Sequence, residues 1–552
     1  MINVFLAILI ALCYSVAYTI LGPMTAAQDI RFDRSCILPF IICFCVCFAM
    51  NFLIFFIWSG GLGKGRGKLS RLFDKTGDRK LLLIVWAVIF LSWLPAFLVL
   101  YPGVLSYDMI SQVGSAMEGI TNNHHPVLHT WLIGRFMRLG KRIFGNYEAG
   151  IGLLSLTQMV LLSYALARVV LLLKKHKVPA WAVGTTGLFY AVWFMNACLS
   201  VTMIKDTLHA AFLVLFVCHF TEIVRDPAAY YHRKSNLIVL PFVAFFMCAT
   251  RNNGIHIYLF CFAILLLLRI GQRKKAKAYI GLIVSILLPV FAYKIYSGPI
   301  FASLGIAQGE VREALCIPIQ QLQRVAVLRA DELTEEQTRQ MDYYIDNLNW
   351  MEGVDGRQYD PFFADPAKSC FYSEHYNNDP VAFWKFYLKT GMQFSKEYVV
   401  AFLSNTLGFW YPGYYGFSYV MYDNYAPEVF AVPLERKSIL DSRTLQSYYS
   451  SVCGADLWRK LPVVRIFFVP GFAAWLLLYA LAVQVRKKGF LKKLFPLFLP
   501  LIGQFGIMLL SPMSSFRYSW PLYLMLPVVM IGMCENDELM SSKKEGECSN
   551  EA

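Results

Sequence analysis

The chain has 552 residues, is 57% hydrophobic and 16% aromatic, and has a mean hydropathy of +0.49. A soluble protein carries about 25% charged residues; this one has 16%, and its apolar residues come in runs of roughly 18 or more, long enough to cross a ~30 Å hydrocarbon core, which excludes a soluble globular enzyme. The net charge of +15 is no nucleic-acid patch: residues 298–462 hold 20 of the 36 acidic side chains and only 14 of the 51 basic ones, while the remaining cations gather in short loops between apolar runs.

An all-α, polytopic membrane protein follows, with twelve expected spans at about 2–22, 36–59, 81–101, 148–173, 179–199, 207–225, 236–250, 254–270, 278–297, 463–485, 492–511 and 516–534. The first lacks a basic n-region and exceeds a signal h-region, so it reads as retained. Gly61–Lys80 carries seven Lys/Arg. Lys174-Lys175-His176-Lys177, Arg233-Lys234, Arg273-Lys274-Lys275 with Lys277, and Arg486-Lys487-Lys488 with Lys492-Lys493 fall on the same side by alternation, which makes that side and both termini cytoplasmic.

Five segments result. Residues 1–80 hold two N-terminal spans and a basic loop, 81–297 a membrane core, 298–462 an extracytoplasmic region, 463–534 three further spans, and 535–552 a polar tail. Between His125 and Tyr147, Leu128, Trp131, Leu132, Phe136 and Leu139 recur at helical spacing opposite Arg135, Arg138, Lys141 and Arg142. Four cations are costly in a span, so this is expected to be a juxtamembrane helix lying flat in the outer interface. In the mostly helical outer region, Glu310–Leu328 and Thr334–Leu348 are candidate helices, the second opened by Thr334 with Glu335 and Glu336 in its first turn. Of 14 cysteines, most sit in apolar runs as small hydrophobes. Only Cys316, Cys370 and Cys453 fall in the outer region, where one disulfide could join any two of them.

The stretch Tyr-Pro-Gly-Val-Leu-Ser-Tyr-Asp from Tyr101 to Asp108 begins where the third span ends, since Pro102 and Gly103 stop a helix. Asp108 stands there as a lone carboxylate among Tyr107, Ser111 and Gln112. Desolvation at the boundary gives it reason to be held by a cation or to act as a base; the plain alternative is that it caps a helix starting at Met109. Lys205-Asp206, Arg251-Asn252 and Arg517-Tyr518 bring ionisable groups to three further outer turns. Asp206 could share a divalent cation with Asp108, and the lysine and arginines suit phosphate oxygens; the alternatives are a surface pair and arginines snorkelling to headgroups. His124, His125 and His129 have the spacing of a two-histidine metal pair but lack a third ligand, so orienting Asp108 or starting the interface helix is the plainer role.

On these residues the chain resembles the GT-C superfamily of multi-spanning glycosyltransferases, most of all its protein O-mannosyltransferase and aminoarabinose-transferase branch. It also resembles an uncharacterised family of bacterial membrane proteins carrying Pro-Gly-x-x-Ser-x-Asp followed by His-Pro. Asp108 in the first outer loop, the juxtamembrane helix after it and Lys205-Asp206 in the next outer loop match that pattern over residues 80–300, and residues 460–534 match it loosely. The first-loop signature of the superfamily is a paired acid, whereas Asp108 stands next to Met109. The resemblance implies sugar transfer, with inversion, from a polyprenyl-phosphate-linked donor to a saccharide, lipid or protein acceptor in the cell envelope, and no nucleic-acid partner. Asp108 would be the general base, and Lys205, Arg251 and Arg517 would bind the donor phosphate, with Mg2+ or Mn2+ held by Asp108 and Asp206. Tyr107, Gln112, His124, His125, Asn252 and Tyr518 would support them.

Two other functions fit a chain of this kind. A transporter or flippase of lipid-linked saccharides would place ionisable groups near mid-bilayer and break helices in paired halves. A polysaccharide ligase or polymerase would use the outer region to hold its acceptor. An enzyme of the first kind requires Asp108, Lys205, Asp206, Arg251 and Arg517 to converge on one outer cavity.

Overall fold

The computed structural model describes residues 2–28, 33–57, 71, 73, 75–105, 107–269, 276–346, 359–414, 432–453 and 468–534. Lys64, Arg66, Lys68, Ser106, Arg273-Lys274-Lys275 and the tail 535–552 lie outside the described residues, as do the side chains of Tyr107, Lys277 and Cys453.

Helices dominate, and no strand forms among the described residues; isolated bridges are the only extended pairing. The principal helices are α1 (Asn3–Ala26), α2 (Ile37–Ile57), α3 (Asp78–Val99), α4 (Tyr107–Glu118), α5 (Val127–Phe144), α6 (Tyr147–Lys175), α7 (Ala180–Val192), α8 (Phe194–Ser200), α9 (Lys205–Arg225), α10 (Asn236–Thr250), α11 (Gly254–Arg269) and α12 (Ala276–Ile295). The outer region contributes α13 (Cys316–Leu328), α14 (Glu335–Tyr344), α15 (Pro380–Gln393), α16 (Ser395–Asn405) and α17 (Arg443–Cys453), and the chain closes with α18 (Pro470–Val485), α19 (Leu499–Leu509) and α20 (Phe516–Met525).

A helix stands at each of the twelve expected positions. Among the described residues six are long and apolar enough to cross a membrane, and α7 with α8 makes a seventh if their 51° bend lies within one span. The apolar helices α10, α11 and α18 run 15–16 residues, or about 24 Å at 1.5 Å per residue, less than the hydrocarbon thickness. The α7–α8 break was not legible as proline or glycine. Trp193 is extended there, and Trp93 Nε1 donates to the freed Tyr190 carbonyl at 3.1 Å.

Helix α9 is the axis of the core: 94% of its apolar window is buried, against 6% for the α2 span. It packs on α6, α10 and α20, and rings of Phe212, Phe216, Phe220, Tyr258 and Phe262 fill the space beside it. The N-terminal pair leans on α18 through Leu6, Ala7, Ile10 and Val483.

Helix α5 is the expected amphipathic helix, with its faces assigned differently. Val127, Thr130, Ile133, Met137 and Gly140 are buried, while Trp131 and Leu139 of the expected apolar stripe are exposed. The burial follows from a glycine crossing: a Cβ at Gly140 would strike the backbone of Gly150 on α6, and one at Gly150 the Phe136 carbonyl. The close approach of backbones hides the face that carries Gly140 and leaves Trp131 and Leu139 on the exposed side.

In the outer region Thr334 opens α14 as expected and, with Gln337, forms both halves of a capping box, but α14 stops at Tyr344 because Ile345 pairs with Phe371. The first candidate helix shortens likewise: a 3-10 turn over Val311–Glu313 precedes α13. Cys316 and Cys370 are free thiols, so the expected disulfide does not join them. Cys316 is buried and its Sγ donates to the Leu510 carbonyl at 3.1 Å.

What positions the outer site is a two-loop clasp. The Val104 amide donates to the Val201 carbonyl at 3.0 Å, and the Met203 amide to the Val104 carbonyl at 2.8 Å. From α6, Ser155 Oγ donates to the Pro102 carbonyl at 2.9 Å, and Gln158 Nε2 reaches the carbonyls of Ser200 and Thr202 at 2.9 Å each. The segment before Asp108 and the segment before Lys205 are therefore bolted side by side. Gly103 makes room for this: its φ is +152°, and a Cβ would strike Ser155 Oγ and lie 3.0 Å from the Val201 carbonyl. Gly103→Ala should lower the stability of detergent-purified protein by roughly 2 kcal/mol, read as a fall in melting temperature. An unchanged melt would mean that the clasp tolerates a side chain.

Candidate functional site

Four turns deliver ionisable side chains to one place. Asp108 sits in the first turn of α4, which begins at Tyr107, so it is not the cap of a helix starting at Met109. Lys205 and Asp206 are the first two residues of α9, Arg251 follows the last residue of α10, and Arg517 lies in the first turn of α20. The Asp108, Lys205, Arg251 and Arg517 side chains all line a cavity of about 780 Å³.

The charges pair across the turns. Arg517 Nη1 donates to Asp108 Oδ2 at 2.7 Å, and Lys205 Nζ lies 3.6 Å from the same oxygen. Arg251 pairs with Asp206, whose side chain is fully buried. The Arg251 and Arg517 guanidiniums each lie 4.9 Å from the centre of the Tyr518 ring, and Arg517 Nη2 donates to the Tyr518 hydroxyl at 3.0 Å. Three cations against two carboxylates leave this cluster one positive charge in excess, an environment for an anion.

Burial on its own would raise the Asp108 carboxyl, but Lys205 and Arg517, with His125 adding, overcome it and hold the group well below the usual carboxylate range. His125 is neutral, lowered to about 3 by burial and by Lys205. A lysine ammonium can only donate, so Lys205 Nζ, 3.4 Å away, fixes His125 Nδ1 as the acceptor. The imidazole proton therefore sits on Nε2, which donates to Ser111 Oγ at 2.7 Å, and Ser111 Oγ donates in turn to the Asp108 backbone carbonyl at 3.2 Å.

The histidines divide their work, which the metal-pair spacing did not anticipate. His125 precedes α5 and faces the cavity; His129 is fully buried in its first turn, with Nδ1 accepting from Gln112 Nε2 at 3.0 Å. Gln112 also donates to Thr130 Oγ1 at 3.0 Å, so it joins α4 to α5 beneath Asp108. His124 is half-exposed and lies 4.0 Å from Glu313. Asn252 donates to the Asn123 carbonyl at 3.2 Å.

The residues do not suit a divalent cation between Asp108 and Asp206. Each carboxylate already accepts from a guanidinium, and no group of three or more His, Cys, Asp or Glu side chains that could hold a metal forms among the described residues.

Sequence reasoning missed the wall that the outer region supplies. Glu310, Arg312, Glu313, Asp365 and Lys368 line the same cavity. Lys368, 9% exposed at its side chain, bridges Glu313 and Asp365 at 2.7 Å each. The only advance signal was the density of mixed charge in Glu310–Glu313. The region also grips the turn that carries Arg517. The Ala364 amide donates to the Pro512 carbonyl at 2.8 Å, Asn405 Nδ2 to the Ser511 carbonyl at 2.8 Å, and Ser514 Oγ to the Asn405 carbonyl at 2.9 Å.

A model of a family of unknown function, DUF6020, matches residues 115–547, most of the chain, and the chain belongs to that family. No curated protein and no solved structure matches it.

Two outcomes follow from the buried charges. Arg251→Met strands Asp206 as an uncompensated buried carboxylate and should cost roughly 3–5 kcal/mol; adding Asp206→Asn should recover part of it, and equal melts for the single and double variants would dismiss the pair. His129 is lowered from 6.5 to about 4, by burial first and Lys205 second. The unfolded chain binds this proton from about pH 6.5 downward while the folded chain refuses it until about pH 4, so stability present above that window is lost on acidification, by about 1.4 kcal/mol per pH unit. His129→Gln should flatten the melting temperature against pH across the window, and a wild-type slope in the variant would place the proton elsewhere.

Proposed function

We propose that this chain is a membrane glycosyltransferase that moves a sugar from a polyprenyl-phosphate-linked donor to an acceptor at the extracytoplasmic face. The observation that carries the reading is a single cavity lined by Lys205, Arg251 and Arg517, two of which, Lys205 and Arg517, converge on the Asp108 carboxylate. A lipid-linked phosphate needs both features at once: cations for its oxygens and an apolar surface within reach for its chain. Ile507, Leu510 and Met513 line the same cavity as the arginines.

In the reaction, an acceptor hydroxyl or amine attacks the anomeric carbon and forms the new bond. The bond from that carbon to the phosphate oxygen breaks, and its electron pair leaves with the phosphate, which becomes polyprenyl phosphate. Asp108 takes the acceptor proton and later returns it to water. Lys205, Arg251 and Arg517 stabilise the charge that grows on the phosphate as the bond breaks, and the transition state is oxocarbenium-like. Direct displacement inverts the anomeric centre. The wall of Glu310, Glu313, Asp365 and Lys368 is where a saccharide, lipid or protein acceptor would enter. In this reading the twelve apolar helices all span, the basic loops and both termini are cytoplasmic, and the cavity opens to the cell envelope.

A transporter would use broken helices in pairs around a mid-membrane site. Among the described residues one bent pair occurs, α7 with α8. Its break is filled by Trp193 against Phe516 and Tyr523, and by Asn196 accepting from Trp520, with no carboxylate or cation in these contacts.

Asp108→Asn keeps the size of the side chain and removes the base. In membranes supplied with polyprenyl-phosphate sugars it should lower transfer by about 10²–10⁴-fold while leaving donor binding in place. Undiminished transfer would remove Asp108 from the chemistry.

A further inference from the structure

The two cations best placed for a phosphate are the same two that hold the base. Arg517 Nη1 and Lys205 Nζ converge on a single oxygen, Asp108 Oδ2, at 2.7 and 3.6 Å, and both side chains face the cavity. Each has a second anchor that does not involve Asp108. Lys205 Nζ reaches His125 Nδ1 at 3.4 Å, and Arg517 Nη2 reaches the Tyr518 hydroxyl at 3.0 Å. Each can therefore turn its charge from the carboxylate to an incoming anion without leaving its support.

A carboxylate whose Oδ2 is clamped by two cations is a weak proton acceptor, because taking a proton there forfeits both attractions. A phosphate drawing on the same cations relaxes the clamp, and its own negative charge, close to the carboxylate, favours protonation of the acid. We propose that the donor's phosphate is the trigger that frees Asp108: Arg517 and Lys205 hold its Oδ2 until an anion enters and then transfer to that anion, so the base becomes competent only when the donor is bound. After transfer the phosphate product keeps the cations, and the base is reset when that product leaves. The coupling is reciprocal, so a protonated Asp108 binds the anion more tightly. The inference rests on the transferase reading for the identity of the anion and for the role of Asp108 as base; the exchange of the two cations stands on the geometry.

The test needs no sugar transfer. Dicyclohexylcarbodiimide modifies carboxyls through their protonated form, so labelling of Asp108 in the detergent-purified full chain, quantified by peptide mass spectrometry near pH 6, reports whether the clamp is closed. A methyl polyprenyl phosphodiester, singly charged and without a titrating proton, serves as the probe, with inorganic phosphate as a second arm. Labelling of Asp108 should be low without an anion and rise about tenfold, the change that one pKa unit brings, with the diester. A rise with the diester alone assigns the trigger to a lipid-linked phosphate; a rise in both arms assigns it to phosphate as such. Arg517→Gln should label strongly with no anion present. Labelling of wild type that stays level or falls at saturating diester overturns the proposal, as does an unlabelled Arg517→Gln. A rise without sugar transfer in the membrane assay would sink the transferase reading and leave the trigger standing; transfer with level labelling would do the reverse.

Discussion

Two carboxylates and three cations share a partly dehydrated corner, and the rest of the outer face is arranged so that none of them is left alone. Asp206 is fully buried, and an ion there without a partner would cost several kcal/mol. Arg251 answers that charge from another helix, and Tyr518 lies under both arginines. Such a cluster forms only if four turns, the first and last of them 409 residues apart, arrive in register. The clasp between Val104 and Val201–Met203 sets the Asp108 and Lys205 turns side by side, and Ala364 and Asn405 hold the turn that carries Arg517.

The arrangement sorts these groups by task. Asp206 and Arg251 neutralise each other at depth, whereas Asp108, Lys205 and Arg517 keep partial exposure, at 17%, 19% and 11% of their side chains. The buried pair fixes the position of Arg251 at the cavity wall, and the exposed trio faces the cavity directly. Neutral His125, held between Lys205 and Ser111, adds direction without adding charge.

Much of this was readable in the chain. Asp108, Lys205, Asp206, Arg251 and Arg517 each end or begin an apolar run, and an ionisable group so placed has few neighbours except its like. That four of them, Asp108, Lys205, Arg251 and Arg517, line one cavity fits the alternation of these turns with the basic loops. The partnerships were not readable, because nothing in a local pattern says that Lys205 answers Asp108 while its neighbour answers Arg251. The orientation of His129 was hidden for a similar reason: whether it looks into the cavity or toward Gln112 is set by the phase of α5, which the glycine crossing decides. The contribution of Glu313, Asp365 and Lys368 depends on contacts far apart in sequence, and the Trp193 break carries no proline or glycine to announce it.

The grip of Asn405, Phe363 and Ala364 on the turn from Ser511 to Ser515 has a wider bearing. It makes the described part of residues 298–462 a structural wall for the turn that carries Arg517, so this part is no detachable module. Lineages that diversify it would have to preserve the few side chains that hold the arginine turn while altering those beside Glu310 and Lys368. Variation in this region should therefore be patchwork, with fixed points embedded in otherwise free surface.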